Sequence, residues 1–126
     1  MSEEKVIAKI GGKDYELVLN VYALEAILEK FDCDLDQLGE QLSKALKSDN
    51  PITLVAWLIT LLANQSIEIN NELNDTKEPL LTEKRVKVLT DFAGFIELEK
   101  LAVNAITLGL KQFVQSENEV KNAAGE

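Results

Sequence analysis

Asp32-Cys33-Asp34-Leu35-Asp36 sets aspartates at alternate positions, as at the opening of a calcium-binding loop. Such a loop also needs glycine at its sixth position and a bidentate glutamate at its twelfth, and those places hold Gln37 and Ser43. The calcium pattern therefore fails. The three aspartates read instead as charges that cap the second helix, where the helix dipole favours negative side chains. Cys33 is the only cysteine, so an internal disulfide is impossible; a lone thiol suits a reducing compartment, and packing is its expected role. No histidine is present, which removes the commonest general base, the Ser-His-Asp triad and the usual zinc ligand sets together. Gly11-Gly12 lacks the Lys-Ser or Lys-Thr of a phosphate loop. Glu97 and Glu99 face different sides of a helix and cannot work as an acid/base pair. The expectation is a non-enzymatic chain without metal or cofactor.

Charge narrows the partners. The formal net charge of -9 repels phosphate backbones, and the basic cluster Lys84, Arg85 and Lys87 sits in a short segment, so no nucleic acid partner is expected. The acidic start, Met1-Ser2-Glu3-Glu4-Lys5, has no apolar core of a secretory signal. The longest apolar-rich run, Ile52 to Ala63, is short of the roughly 20 residues of a membrane span. A cytoplasmic chain without membrane contact is the resulting expectation.

The elements that position these residues are mainly helical. Val6, Ala8 and Ile10 alternate, Gly11-Gly12 permits a tight turn, and Tyr15, Leu17 and Leu19 alternate on the return, so residues 5-19 read as a β-hairpin. A hairpin alone is marginal in water and must lie on helices or gain strands at its open edge. Asn20 caps a helix with Leu24, Ile27, Leu28 and Phe31 on one face. Asp34 and Gln37 form a capping box before Leu38, Leu42 and Leu46, and Asn50-Pro51 starts a third helix with Trp57 as packing mass. That helix is apolar around most of its circumference, with Thr53, Ala56, Thr60 and Asn64 as a narrow stripe; it extends as a more exposed arm through Ile67 and Ile69.

Asn70 to Pro79 reads as a loop, and Thr82 caps a short helix with Val86, Leu89 and Phe92 inward and Gly94 at its end or kink. From Ile96 a last helix follows, with Glu97, Lys100, Asn104, Thr107 and Lys111 as its polar stripe. The expected fold is mainly α, about five helices packed as a compact bundle with a short N-terminal β-hairpin. Residues 1-114 form one domain, and 115-126 form a flexible acidic tail. The broad apolar faces of the third and last helices exceed ordinary need, which places Trp57, Leu108, Leu110, Phe113 and Val114 at a partner surface and makes a homo-oligomer possible.

The order of elements resembles the tail assembly chaperones of long-tailed phages and prophages. The similarity lies in Lys9-Ile10-Gly11-Gly12-Lys13-Asp14-Tyr15-Glu16-Leu17 running into the Asn20 to Phe31 helix, and in Pro79-Leu80-Leu81-Thr82-Glu83 before Val86, Leu89 and Phe92. It spans roughly residues 5 to 115 and contains turn, cap and packing patterns with no catalytic signature. The resemblance implies a protein of the host cell cytoplasm that coats the tape-measure protein, keeps it soluble until tail-tube subunits polymerise, and is absent from the mature virion. It also implies a longer form, made by ribosomal frameshift, that recruits the tail-tube protein. A small regulatory protein, antitoxin-like or transcription-modulating, is the alternative expectation.

Overall fold

The computed structural model describes the backbone of residues 4-124 and the side chains of residues 4-113. Strands β1 (Val6–Ile10) and β2 (Lys13–Leu17) pair antiparallel in the register Val6 with Leu17, Ala8 with Tyr15 and Ile10 with Lys13. Gly11 and Gly12 both take positive φ, 59° and 80°, which matches the right-handed twist of the strands they join. The register turns Ala8, Ile10, Tyr15 and Leu17 to one face, and all four are buried. That face lies on two helices, with β2 against α3 (Ile52–Asn74) and β1 against α5 (Phe92–Ala124). The backbone N–H of Val18 also donates to the Leu62 carbonyl in mid-α3 at 3.1 Å.

Helix α1 (Val21–Phe31) starts where expected, with the Asn20 side chain accepting from the Ala23 N–H at 2.9 Å. It ends on Asp32, whose left-handed φ of 48° turns the chain so that the Cys33 N–H reaches back to the Leu28 carbonyl at 3.2 Å. This corrects one expectation: Asp32 closes α1 and does not open the next helix. Asp34 does open it. Its N–H donates to Gln37 Oε1 at 3.1 Å, and a single 3-10 turn, Leu35–Gln37, leads into α2 (Leu38–Leu46).

Helix α3 is the hub. Val55, Leu58, Ile59, Leu62 and Ala63 are completely buried, each large aliphatic contributing about 1.5–3 kcal/mol by leaving water. By length and composition this helix could cross a bilayer, but here the hairpin, α4 and α5 cover part of its apolar surface. It runs on through Asn74, into residues expected as loop. The cause is local. Asp75 adopts a left-handed φ of 52° as the helix stop, and Asn71 serves the returning chain from the last turn. Its Oδ1 accepts from the Glu78 N–H at 3.0 Å and the Thr76 hydroxyl at 2.8 Å, while its Nδ2 donates to the Glu78 carbonyl at 3.1 Å.

Helix α4 (Glu83–Leu89) is capped by Thr82, whose hydroxyl accepts from the Arg85 N–H at 3.1 Å. Only Val86 of its expected inward set is buried. Leu89 is 41% exposed and Phe92 80% exposed, because the chain breaks at Thr90-Asp91 and Phe92 belongs to the first turn of α5. Asp91 Oδ1 accepts from the Gly94 N–H at 2.8 Å, so Gly94 lies in that first turn and does not end a helix. The α5 backbone is helical through Ala124, across most of the segment expected as a flexible tail; that stretch has no glycine or proline to interrupt it, and residues 125-126 lie outside the described range. The fold is thus mainly α, with five helices and a short hairpin around one core cluster.

Candidate functional site

Helix α5 supplies a wall to several surface grooves, which explains why its apolar face is so wide. Leu98, Ala102, Ala105 and Ile106 enter the core. Phe92 and Phe95 at its start, Val103 and Leu110 further along, and Phe113 beyond them each face a different groove.

The first groove, about 210 Å³, lies between the starts of α3 and α5 and the end of α4. Ile52, Val55, Ala56, Val86, Phe92 and Phe95 give it an apolar lining, with Lys87 and Asp91 at the rim. Exposed Ile52, Val88, Phe92 and Ile96 lie on the same segments, so a large apolar surface meets solvent at this end.

The second groove, about 340 Å³, separates α2 from α5. Leu38, Leu42 and Leu46 face Val103, Ile106 and Leu110 across it.

The third groove, about 410 Å³, separates α1 from the Phe113 turn of α5. Val21, Leu24, Leu28 and Phe113 provide its apolar surface, and Glu25, Glu29 and Asp32 edge it with carboxylates. Val21 is 76% exposed, so the groove opens to solvent along this side of α1.

Two neighbouring amides on α3 hold the walls in place. Gln65 is buried, accepts from Asn20 Nδ2 at 3.1 Å and donates to the Leu61 carbonyl at 2.9 Å. The cap of α1 is thereby tied to the hub. Asn64 brackets Leu81, donating to its carbonyl at 2.9 Å and accepting from its N–H at 2.7 Å, which fixes the entry to α4. The stripe expected as the polar side of α3 is therefore in part a docking strip for the chain that follows.

The residues expected at a partner surface do not converge. Leu108 is half-buried beside the hairpin end at Leu17, Val18 and Leu19. Leu110 faces α2, and Phe113 faces α1. Trp57 packs half-buried against the core with the Lys30 ammonium 4.7 Å from its ring centroid. The Val114 side chain lies outside the described residues. Missed by the sequence reading was the α1 face: Glu25, Glu29 and Asp32 recur at helical spacing beside Val21, Leu24 and Leu28, a signal present in the sequence but without meaning until Phe113 closes the other side.

Among the described residues, no His, Cys, Asp or Glu cluster of three or more is placed to hold a metal ion. What the arrangement offers chemically is apolar concavity edged with charge, a surface suited to side chains of another helix. Comparisons with protein-family models, with curated proteins and with solved structures give no match.

Proposed function

We propose that this chain is a phage tail assembly chaperone that binds the tape-measure protein and keeps it soluble while the tail tube assembles. The observation that carries this reading is the division of α5, whose apolar side chains both build the core and wall three open grooves. A chaperone of helical clients needs several shallow apolar seats in a carrier whose own charge resists aggregation, and a net charge of -9 provides that resistance. The resemblance of the hairpin, the Asn20-capped helix and the Pro79 to Phe92 stretch to the chaperone family supports the same reading. A longer frameshifted form would add contacts to the tail-tube protein, and the site of action would be the host cell cytoplasm.

Co-expression tests the proposal. The chain should raise the soluble yield of the tape-measure protein and elute with it as a joint peak on size exclusion. No gain in client solubility, together with retention of DNA at moderate salt, would replace this function with a regulatory one. The exposed basic residues Lys84, Arg85 and Lys87 on α4 are the feature that favours that second reading.

A further inference from the structure

The groove between α1 and α5 has two parallel stripes on its α1 side. Successive residues of a helix are rotated by about 100°, so Val21, Leu24 and Leu28 form one stripe and Glu25 and Glu29 the next, which Asp32, the cap just past the helix, continues along the groove edge. The acidic stripe extends about 10 Å along the axis, roughly two turns. All three of its residues are exposed. Among the described residues the ion pairs are Lys13–Glu78 and Lys44–Glu40, so none of the three carboxylates is engaged. The basic residue in the last turn of α1, Lys30, lies on the opposite side of the helix over Trp57. The C-terminal end of the α1 dipole adds further negative potential beside Glu29 and Asp32.

We propose that this groove receives one amphipathic helix of the partner, its apolar edge on Val21, Leu28 and Phe113 and a row of Lys or Arg side chains, one turn apart, on Glu25, Glu29 and Asp32. The inference rests on the chaperone function proposed above and assigns the client segment its chemistry. Charge complementarity selects this occupant. A second copy would bring its own charge of -9 toward the acidic stripe, and its basic cluster sits on α4, only seven residues long. A basic amphipathic helix matches both stripes at once and lowers the net charge of the complex.

Two designed peptides of about 18 residues, long enough to hold a helix, test the assignment. Both carry the same leucine stripe, flanked at i, i+4 spacing by lysines in one and by glutamates in the other. In fluorescence anisotropy with the full chain, the lysine peptide should bind, weaken as salt is raised, and outcompete the glutamate peptide. The double variant Glu25→Lys, Glu29→Lys, whose circular dichroism should match the parent because both positions are exposed, should lose about tenfold in affinity for the lysine peptide and gain for the glutamate peptide. Equal binding of the two peptides, or an unchanged affinity in the variant, overturns the assignment. So does a sedimentation result in which the variant loses self-association that the lysine peptide cannot compete, since the groove is then an interface between copies. Co-expression with the tape-measure protein separates this inference from the function beneath it. If parent and variant solubilise the client equally, the groove assignment fails and the chaperone stands; if the peptide preference holds but the parent gives the client no solubility, the chaperone function fails and the groove stands.

Discussion

Asn64 pairs with Leu81 as one strand pairs with another, its side-chain amide donating to the Leu81 carbonyl at 2.9 Å and accepting from the Leu81 N–H at 2.7 Å. Leu81 is buried, so no solvent could replace either bond without opening the α3–α4 contact. Asn64→Leu should therefore cost about 3 kcal/mol, most of it from two backbone groups left dry and unpaired. Thermal unfolding by circular dichroism checks this, with an expected drop in Tm of ten degrees or so. A variant as stable as the parent would show that the loop re-pairs elsewhere.

A second amide, Gln65, joins α1 to α3 through Asn20. Asn20→Ala removes the bond to the Ala23 N–H and also the donor to Gln65 Oε1, for a loss of about 2 kcal/mol. Asn20→Asp keeps the cap but turns a carboxylate oxygen, in place of the donor, toward Gln65 Oε1, so urea denaturation should place it below the parent. Stability of Asn20→Asp equal to that of the parent would mean that the tie to Gln65 contributes nothing.

Gly109 marks a close approach of α5 to the segment that joins β2 and α1. A Cβ there would stand 2.5 Å from Leu19 Cβ, a contact with the root of a side chain and not its flexible end. Gly109→Ala should cost about 1–3 kcal/mol despite the better helix propensity of alanine. Pairing it with Leu19→Gly, which removes that Cβ, should recover part of the loss, and a double-mutant cycle measures the recovery.

Phe113 and Leu58 should respond to charge in opposite ways. Phe113→Asp should leave a folded chain, since the residue is 41% exposed, and under the proposed chaperone function it should weaken the joint peak with the tape-measure protein. Leu58→Asp buries a carboxylate in the core and unfolds the domain. Circular dichroism and size exclusion on both variants test the assignment of Phe113 to a surface. If Phe113→Asp also unfolds, that turn of α5 is core and the groove has lost a wall.

Local chemistry was legible in the sequence where a cap or a two-residue turn decides the outcome. The Asn20, Thr82 and Gly11-Gly12 signals act within a few residues, and the chain takes the predicted conformation at each. Two kinds of feature were not legible. The asparagines at 70, 71 and 74 have loop composition yet end a helix, because Asn71 bonds to Thr76 and Glu78 after the chain has turned back. The α1 groove was hidden for a different reason: half of it was readable as a helical stripe, but Phe113 arrives from the far end of the chain, and no local pattern announces that meeting.

The position of α3 as hub has a consequence for synthesis. Of its main neighbours, β2 precedes it in the chain, whereas α4 and α5 follow it. At about 5–20 residues per second, a ribosome releases the apolar α3 segment seconds before α5 can cover its remaining flank. During that interval the hairpin is the main shelter α3 has, fastened through the Val18 N–H to the Leu62 carbonyl. A hairpin weakened at Gly11-Gly12 should therefore lower the soluble yield of newly made chain more than it lowers the stability of chain already folded.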